Sequence, residues 1–342
     1  MKGLRILHAV RSDGFAGVER HVSTLATAQS AAGHEVAVIG GNAGAMRAAL
    51  ADSSIRFQSA ATVLQVARSI DALGGSDILH VHMTAAEIAA VAAIRRWNVR
   101  AVTTRHFGGT RGSSTGARLF APLIRARLAG QIAISRHVAR LVDGPSTVVH
   151  PGVTSRQDGL RATDRTRSAL VAQRLEPEKN TDVALRAFAA SGLPTQGWSL
   201  DVAGSGSQLA SLQELARRLG VDDNVRFLGH RSDVASLMDH AGILIAPCAV
   251  EGLGLTVLEA MAAGLPVVAA AAGGHLETVA GAPSAALFTP HDASEAGELL
   301  GALAHDGRRR DAYARELQSI QRTSFTLQAQ VRATDAVYRS VL

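Results

Sequence analysis

The feature that most constrains the fold of this 342-residue sequence is a repeated alternation of short apolar runs with longer amphipathic segments. Runs of roughly four to eight apolar residues are typical of buried strands, and the longer segments have the 3.6-residue period of helices. Repeated βα units predict an α/β fold whose parallel sheets are covered by helices. Aromatic residues make up only 4 % of the chain, so the cores are expected to be built from Ala, Val, Leu and Ile.

The alternation runs through the chain twice. The first set of predicted strands is Leu4–Val10, Glu35–Ile39, Ile55–Gln58, Ile78–His82, Val99–Thr104, Gln131–Ile134 and Thr147–His150. The second set is Ala169–Gln173, Ser199–Ala203, Val225–Leu228, Ile243–Ala246, Val267–Ala270 and Ala286–Phe288. Helices are expected between the strands, most clearly at 18–31, 85–97, 117–128, 209–219 and 256–263, and again near 294–304 and 327–341.

A polar stretch separates the two sets of strands. The sequence therefore predicts a Rossmann-like domain over 1–154, a linker over 155–167 and a second Rossmann-like domain over 168–320. A C-terminal helix over 321–342 is expected to pack back on the first domain. Two doubly wound domains are expected to bind a ligand in the cleft between them, beyond the carboxyl ends of the strands.

Charge is distributed unevenly along the chain. Residues 1–165 hold 20 basic and 10 acidic residues and the remainder holds 15 and 19, so the halves carry about +10 and −4. Two interpretations stay open: a partner that is an anionic surface or substrate, or a solvated basic face without a partner. The strongest basic patches are expected at Arg95 and Arg96 and around Arg118, Arg125 and Arg127.

Cysteine usage and hydropathy bear on location. Cys248 is the single cysteine, which excludes an intramolecular disulfide and a thiolate metal cluster and favours a reducing compartment. The longest apolar stretches, such as 265–272, are too short to span a bilayer. We therefore expect a cytoplasmic protein, with peripheral contact at the inner face of the membrane as an open addition.

The most informative segment runs from Glu251 to Glu259. Gly252 and Gly254 leave backbone uncovered where a helix begins, and free amides at a helix N-terminus can bind phosphate. With an anion between them, Glu251 and Glu259 are better suited to accept hydrogen bonds from sugar hydroxyls than to contact phosphate. Taken alone, two glutamates at this spacing also fit a capped, solvated helix.

Two cations follow the first strand of the second domain. Arg174 and Lys179 lie five residues apart, where they can reach one diphosphate from two directions. The chain has 33 arginines but only two lysines, Lys2 and Lys179. An ammonium kept at this one position favours a binding role over an exposed loop pair.

These motifs together resemble retaining glycosyltransferase family 4, which has the GT-B fold, over nearly the whole chain. The resemblance is carried by the Glu-x7-Glu element from Glu251 to Glu259, by Gly273, Gly274 and Glu277, and by Arg174-Leu175-x-Pro177-x-Lys179. It implies that the first domain lies on the acceptor side and that the second binds a nucleotide sugar. It also implies a metal-independent transferase that acts with retention at the anomeric carbon, without a cofactor other than a UDP-, GDP- or ADP-linked sugar substrate.

The resemblance also implies roles for single residues. Arg174 and Lys179 would neutralise the donor diphosphate and support its departure. Glu251 would hold sugar hydroxyls and Glu259 the nucleotide ribose. Backbone amides near the donor would come from Gly252, Leu253, Gly254, Leu255 and Thr256. Gly204 and Gly206 would line the same pocket; read as a dinucleotide fingerprint, that turn lacks its third glycine, since Leu209 occupies the position.

In the first domain the resemblance points to a glycine-rich loop and a histidine. The loop begins at Gly14 and opens a helix, and Gly17 is its donor-binding residue; Ala16 stands where the family usually has a second adjacent glycine, so a methyl group limits backbone approach there. His106 follows a strand and would face the donor sugar as a neutral imidazole. His80 and His82 share one face of a strand, yet no third ligand of suitable spacing follows, so no metal site is predicted.

Rival functions remain open at this stage. A nucleotide-sugar epimerase on the same fold would use the same donor pocket, and a basic membrane- or nucleic-acid-binding protein would use the +10 half. The chain has few aromatic residues for stacking on bases and no recognition motif, so nucleic acid is not an expected partner. The expected acceptor is a glycan, a lipid-linked acceptor or a small molecule.

Overall fold

A computed structural model describes residues 3–94, 99–111 and 115–342 of the chain. The chain divides into two compact units. The first unit consists of Met1–Pro151 together with Leu327–Leu342, and the second is Gly152–Thr326. Each unit is built on one parallel sheet.

The first unit contains a seven-stranded sheet. Its strands are β1 (Arg5–Val10), β2 (Glu35–Ile39), β3 (Arg56–Gln58), β4 (Ile78–His82), β5 (Arg100–Arg105), β6 (Gly130–Ala133) and β7 (Thr147–Val148). Its first helices are α1 (Gly17–Ala31), α2 (Ala43–Ala49), α3 (Val63–Ala72), α4 (Thr84–Ile94), α5 (Thr115–Arg127) and α6 (Arg136–Leu141).

The second unit contains a six-stranded sheet. Its strands are β8 (Ser168–Ala172), β9 (Ser199–Ala203), β10 (Val225–Gly229), β11 (Ile243–Ala246), β12 (Val267–Ala270) and β13 (Ala286–Phe288). Its helices are α7 (Thr181–Ala190), α8 (Leu209–Arg218), α9 (Val234–His240), α10 (Leu255–Ala262), α11 (His275–Thr278), α12 (Ala293–His305) and α13 (Gly307–Ser324). The last helix, α14 (Leu327–Val341), belongs to the first unit.

Both sheets have the same kind of strand order. The first runs β3-β2-β1-β4-β5-β6-β7 and the second runs β10-β9-β8-β11-β12-β13. Each sheet therefore starts in its middle and grows outward in both directions, so the order reverses between β1 and β4 and again between β8 and β11. In open parallel sheets of this doubly wound kind, ligands bind beyond the carboxyl ends of the strands at such a reversal.

The sheets form where the sequence is apolar on both strand faces. All five residues of β4 and all five of β8 are buried. One face of the first sheet packs Leu7, Ala9 and Leu79 against α3 and α4, and the other packs Ile6 and Ile78 against α14. Burial of both faces is what a parallel sheet between helical layers requires, and it predicted these strands from sequence.

The structure differs from the sequence-based expectation near the domain boundaries. Segment 155–167, expected to be a linker, lies inside the second unit. Arg165 is only 7 % exposed, and its guanidinium donates to carbonyl groups that include those of Ala241 and Gly264. The Arg165 side chain donates to buried carbonyl groups and so holds the segment against the second unit. The polar composition of the segment had predicted a linker.

The C-terminal helix expected near 327–341 agrees with α14 at both ends, and α14 lies in the first unit. The wider range of 321–342 begins too early, because residues up to Ser324 belong to α13. Helix α13 ends at Ser324 because Phe325 leaves helical geometry, and the Phe325 carbonyl accepts a hydrogen bond from the Val153 amide.

Two further expectations concern membranes and basic patches. Among the residues described, no helix combines the length and apolar character needed to cross a bilayer. Arg95 and Arg96 lie outside the described residues, as does Trp97, the expected end of helix 85–97. Helix α5 exposes Leu123 beside Arg125 and Arg127, and its contact with anionic lipid stays a prediction.

Candidate functional site

The loop between β8 and α7 carries Lys179 at the point where the second sheet reverses its order. The residues Pro177–Lys179 form one turn of 3-10 helix. Gln173 holds this turn in place, since its side-chain amide donates to the Lys179 carbonyl and to the Thr181 hydroxyl, both at 2.9 Å. Leu175 is fully buried and anchors the loop below. The backbone around Lys179 is therefore fixed by contacts that do not involve its ammonium group.

The ammonium group of Lys179 contacts Glu251, which follows the neighbouring strand β11. The distance between Lys179 Nζ and Glu251 Oε2 is 2.8 Å, and the two side chains are only 19 % and 24 % exposed. Burial alone would lower the pKa of Lys179, but the facing carboxylate outweighs burial and raises it. Burial likewise opposes ionisation of Glu251, yet Lys179 holds the pKa of that carboxyl below its ordinary value. The pair is thus ionised at neutral pH.

Further contacts join the same two loops. Asn180, which has a left-handed backbone with φ of 53°, accepts a hydrogen bond from the Ala249 amide at 3.3 Å. The thiol of the buried Cys248 donates to the Glu178 carbonyl at 3.4 Å. These contacts hold the carboxyl ends of β8 and β11 together, so the Lys179–Glu251 pair is placed by the backbone on both sides.

The loop from Glu251 to Gly254 is packed against Gly273 and Gly274. The Gly274 amide donates to the Glu251 carbonyl at 2.9 Å. A Cβ on Gly273 would lie 2.4 Å from the Glu251 carbonyl oxygen, and one on Gly274 would lie 2.2 Å from Leu253 Cα. Both positions need glycine because backbone approaches backbone there.

Gly274→Ala is expected to destabilise the second unit by about 1–3 kcal/mol, because the new methyl group would force the Leu253 backbone to move. Gly281→Ala is the matched control, since its Cβ would find Ile320 Cδ1 at 3.6 Å, an ordinary contact. Urea unfolding of both variants measures the difference. Equal stability of the two variants would show that the Leu253 loop is not held by this packing.

Helix α10 begins directly after this loop. Gly254 precedes its first residue with φ of 93°, a conformation that favours glycine. Gly252, Leu253 and Gly254 are buried, whereas Leu255, Thr256 and Glu259 are partly exposed. The first turn of a helix has amides without intrahelical partners, and the helix dipole favours an anion there. Glu259 lies a little over one turn into the helix.

Arg174, the other cation assigned to the diphosphate, lies near enough to Lys179 to oppose its charge and pairs with an acidic neighbour. The guanidinium of Arg174 is 63 % exposed and contacts Glu178 at 2.9 Å. An exposed pair of this kind is weak, and its partners exchange readily with solvent or with an anion. The predicted joint action of the two cations on a diphosphate therefore requires Arg174 to leave Glu178.

Gly204 and Gly206 lie at the end of β9, beside β8. A Cβ on Gly204 would lie 1.9 Å from the Gln173 carbonyl oxygen, and one on Gly206 would lie 2.3 Å from that of Leu175. These glycines allow the turn to pack on the loop that carries Lys179. In the first unit, by contrast, a Cβ on Gly17 would meet no atom within 4 Å. Ala16 precedes α1, and its amide donates to Glu19 at 2.8 Å.

His106 directly follows β5 and belongs to a buried cluster of five histidines in the first unit. His8, His80 and His82 are fully buried, and His21 and His106 are 7 % and 5 % exposed. Parallel register places His8 beside His80 and Val10 beside His82. The imidazole nitrogens His106 Nε2 and His82 Nδ1 are 3.1 Å apart, and His82 Nε2 and His8 Nδ1 are 3.0 Å apart.

The expectation that no third ligand lies near His80 and His82 did not anticipate this cluster. Nitrogens of His8, His80 and His82 lie within 4.8 Å of one another, and so do those of His21, His82 and His106. Spacing along one strand could not reveal them, because they come from β1, β4, α1 and the end of β5. Histidines that alternate with apolar residues on neighbouring strands were the available signal.

Comparison with known proteins places the chain in a family. Residues 15–156 match the family described as Glycosyltransferase Family 4, and residues 155–318 match Glycosyl transferases group 1. The lipopolysaccharide core biosynthesis mannosyltransferase LpsB of Rhizobium meliloti is 31 % identical over 239 residues, which cover 64 % of this chain and 68 % of that protein. The chain belongs to glycosyltransferase family 4. The resemblance seen in the motifs is thereby confirmed.

Other relatives in sequence are longer than this family 4 chain. The D-inositol 3-phosphate glycosyltransferase of Salinispora tropica is 31 % identical over 299 residues, which cover 74 % of this chain and 61 % of that protein. The chain spans about three fifths of the length of the D-inositol 3-phosphate glycosyltransferases it matches.

Solved structures establish the fold. HepE of Anabaena in complex with UDP superposes with a TM-score of 0.80 at 20 % identity, covering 98 % of this chain and all of that one. Sucrose-phosphate synthase of Thermosynechococcus elongatus gives 0.77 at 17 % identity, with coverage of 98 % and 99 %. The predicted α/β fold with two Rossmann-like domains of the GT-B type is therefore confirmed.

Proposed function

We propose that this protein is a retaining, metal-independent glycosyltransferase that moves a sugar from a nucleoside diphosphate sugar to an acceptor hydroxyl. The observation that carries the proposal is the ionised Lys179–Glu251 pair beyond β8 and β11, where the second sheet reverses its order. A cation and a carboxylate side by side, next to the first turn of α10, suit a ligand that joins a phosphate to a polyol.

Lys179 is proposed to bind the donor diphosphate while Glu251 keeps it in place. An ammonium group has three N–H donors, and Glu251 takes one of them at 2.8 Å. The remaining donors can contact phosphate oxygens, and Arg174 can join them by exchanging Glu178 for the second phosphate. Together the two cations supply the charge neutralisation that supports departure of a diphosphate.

The carboxylates and the helix are proposed to bind the rest of the donor. Glu251 has a second oxygen that can accept from sugar hydroxyls, and Glu259 is assigned to the ribose. Amides from Gly252 to Thr256 would contact the sugar and its phosphate. Gly17 and His106 of the first unit are assigned to the donor by the family resemblance, His106 through a hydroxyl of the sugar.

The proposed reaction is a front-face displacement. The bond between the anomeric carbon and the diphosphate oxygen breaks, and the acceptor oxygen bonds to the same face of that carbon. The acceptor proton passes to the departing phosphate oxygen. This route needs no carboxylate nucleophile; it needs a leaving group whose charge is neutralised, which is the part assigned to Lys179 and Arg174.

A UDP-linked sugar is the donor we propose to test first, because HepE, which shares the fold, has been solved with UDP and with UDP-glucose. The acceptor is proposed to be a hydroxyl of a glycan, a lipid-linked molecule or a small molecule.

In thermal-shift measurements with UDP, GDP and ADP, we expect UDP to raise the Tm most. A ligand at about 100 times its Kd adds about 2.7 kcal/mol of stability, because it binds only the folded state. Lys179→Ala is expected to abolish most of the shift, whereas Arg217→Ala, which removes an exposed cation paired with Glu214, is expected to retain it. No shift with any of the three nucleotides would contradict nucleotide-sugar binding by this chain.

The epimerase alternative is separated by incubating UDP-glucose without an acceptor. A transferase leaves the sugar almost unchanged, apart from slow hydrolysis, whereas an epimerase converts it. Analysis of the recovered sugar nucleotide decides between them, because both enzymes would give the same thermal shift.

A further inference from the structure

A continuous line of hydrogen bonds runs through the buried side of the first unit and ends at His106. It starts at Gln29 of α1, whose Oε1 lies 2.7 Å from His8 Nε2. It continues from His8 Nδ1 to His82 Nε2 at 3.0 Å and from His82 Nδ1 to His106 Nε2 at 3.1 Å. Gln29 is itself fully buried.

Burial keeps the imidazoles of this line neutral. It lowers the pKa of His8 to about 4 and that of His106 to about 3, and it lowers the pKa of His82 as well. A neutral imidazole has one N–H donor and one acceptor nitrogen. Each ring in the line must therefore donate on one side and accept on the other.

The carbonyl of Gln29 sets the direction of the whole line. Because Oε1 can only accept, His8 carries its proton on Nε2 and accepts at Nδ1. His82 must then donate from Nε2 and accept at Nδ1, so His106 donates from Nε2. The orientation of the Gln29 amide thus determines the tautomer of all three rings. In His106 the proton is on Nε2 and the acceptor lone pair is on Nδ1.

A second line of hydrogen bonds starts from the same Gln29 amide. Its NH2 group donates to the Tyr338 hydroxyl of α14 at 3.2 Å. That hydroxyl lies 2.6 Å from His80 Nδ1, and His80 Nε2 lies 2.6 Å from the Thr104 hydroxyl. Burial raises the pKa of Tyr338, so the phenol stays protonated and can donate to His80. The opposite amide orientation would reverse every bond in both lines.

We propose that Gln29, His8 and His82 are positioning residues that hold His106 as the Nε2–H tautomer, so that His106 Nδ1 accepts a hydrogen bond from a hydroxyl of the donor sugar. The sugar contact rests on the proposed function, whereas the tautomer does not. In this arrangement the Gln29 amide, 2.7 Å from His8, determines which nitrogen of His106 accepts a hydrogen bond, although His8 and His82 lie between them.

The same histidines could instead hold a metal ion, and the hydrogen bonds argue against it. Both nitrogens of His8 and both of His82 already have a hydrogen-bond partner within 3.1 Å. A metal would need the lone pairs of two rings to point at it, which would break the donor-to-acceptor sequence. Zinc binding is therefore an outcome that the test includes.

The experiment is imidazole 15N NMR of the full chain labelled in histidine, with His106→Gln used to assign the His106 signals. We expect Nε2–H at His106 in the wild-type protein. Gln29→Met and His82→Phe are expected to remove that preference, giving mixed or Nδ1–H signals. Thr103→Val is the matched control: it removes a buried hydrogen bond to Glu87, which belongs to neither line, and is expected to leave the Nε2–H signal unchanged.

Several results would overturn the proposal. Nδ1–H at His106 in the wild-type protein would show that the line runs the other way. An unchanged tautomer in both Gln29→Met and His82→Phe would show that the line does not set it. Stoichiometric binding of Zn²⁺ that shifts the signals of His8 or His82 would show a metal centre instead.

Ligand binding tests the sugar contact separately. We expect Gln29→Met to weaken UDP-glucose about 5- to 10-fold, the worth of one hydrogen bond, and to leave UDP affinity unchanged. Equal losses for both ligands, or none for either, would overturn the contact. If the wild-type protein binds neither UDP nor UDP-glucose, the proposed function and the sugar contact fall together, and the NMR result still decides the tautomer.

Discussion

Replacing Lys179 by methionine is expected to lower kcat/KM for sugar transfer by about 100- to 1000-fold. Removal of one pre-positioned charge or donor that stabilises a developing anion costs about 2.7–4 kcal/mol in the transition state. The loss should be mostly in kcat, because the charge on the leaving diphosphate grows as its bond to the sugar breaks. Steady-state kinetics with the donor selected by thermal shift measures the effect.

Stability must be separated from catalysis in this variant. Lys179 and Glu251 are both largely buried, and removal of one partner leaves a buried charge without its counterion. The double variant Lys179→Met with Glu251→Gln removes both charges and should recover much of the stability while staying inactive. Arg217→Ala is the control for loss of an exposed cation and should keep full activity. Full transfer activity in Lys179→Met would refute the site assignment.

Arg174→Ala should have a smaller effect than Lys179→Met for a reason visible in the structure. Arg174 is 63 % exposed and is shared with Glu178, whereas Lys179 is placed by contacts of Gln173 and by Glu251. Ordering an exposed arginine on the donor costs side-chain entropy that the held lysine has already lost. The sequence suggested equal roles for Arg174 and Lys179, but only Lys179 is held in position before the donor binds.

The strands could be predicted because short, mostly apolar runs mark them, even in β4, where His80 and His82 share one face. Glu35–Ile39, Ile78–His82 and Val267–Ala270 agree with the structure at both ends. Their apolar runs are short, which is the pattern of strands buried between helical layers. The family resemblance supplied the GT-B fold, which strand positions alone do not specify.

Helix α13 was not among the helices expected from the sequence, and half of its buried residues are polar. Gln318 and Gln321 are buried and donate to backbone carbonyls, Gln318 to that of Ala262 and Gln321 to that of Val153. Hydrogen bonds replace part of the apolar contact on this face, which weakens the periodic pattern that marks a helix. Arg165 is buried in the same way, by hydrogen bonds to carbonyl groups, in a segment whose polar composition predicted a linker.

The candidate site was predictable in part for a related reason. Glu251 and Lys179 stand beside glycines and helix starts, which local sequence marks. The contacts that position them do not show in local sequence: Lys179 and Glu251 are 72 residues apart, and Gln29 and Tyr338 are 309 apart. Pairings of this kind follow from strand order and helix packing, which a single sequence specifies only through the complete fold.

The first unit is expected to lose stability steeply as the pH falls below about 6.5. Its buried histidines are neutral when folded, with the pKa of His8 lowered to about 4 and that of His106 to about 3. In the unfolded chain they titrate near 6.5. Between these values the unfolded state binds protons that the folded state cannot, so stability is fully present above 6.5 and falls towards pH 4.

The size of the effect follows from the pKa difference. For His8 alone, a shift of this size is worth about 3 kcal/mol once the pH has fallen to its folded pKa. His21, His80 and His82 are buried with lowered pKa values as well, so their protonation in the unfolded chain lowers stability in the same direction. Acid should therefore destabilise the first unit.

Hydrogen exchange measured from pH 7.5 to 4.5, with rates corrected for intrinsic pH dependence, tests this expectation by unit. Peptides from β1, β4 and β5 should lose protection first. Those from β8 and β11 should keep it to lower pH, because among the described residues the second unit has one histidine with a lowered pKa, His275, against five in the first, and the lowered pKa of Glu251 lets its stabilisation persist until the carboxyl protonates. His230→Asn, which changes an exposed histidine of the second unit, should leave the profile unchanged. Protection of β1 and β4 that is constant down to pH 5 would mean that the folded cluster accepts protons, and the neutral, directional line ending at His106 would then not exist.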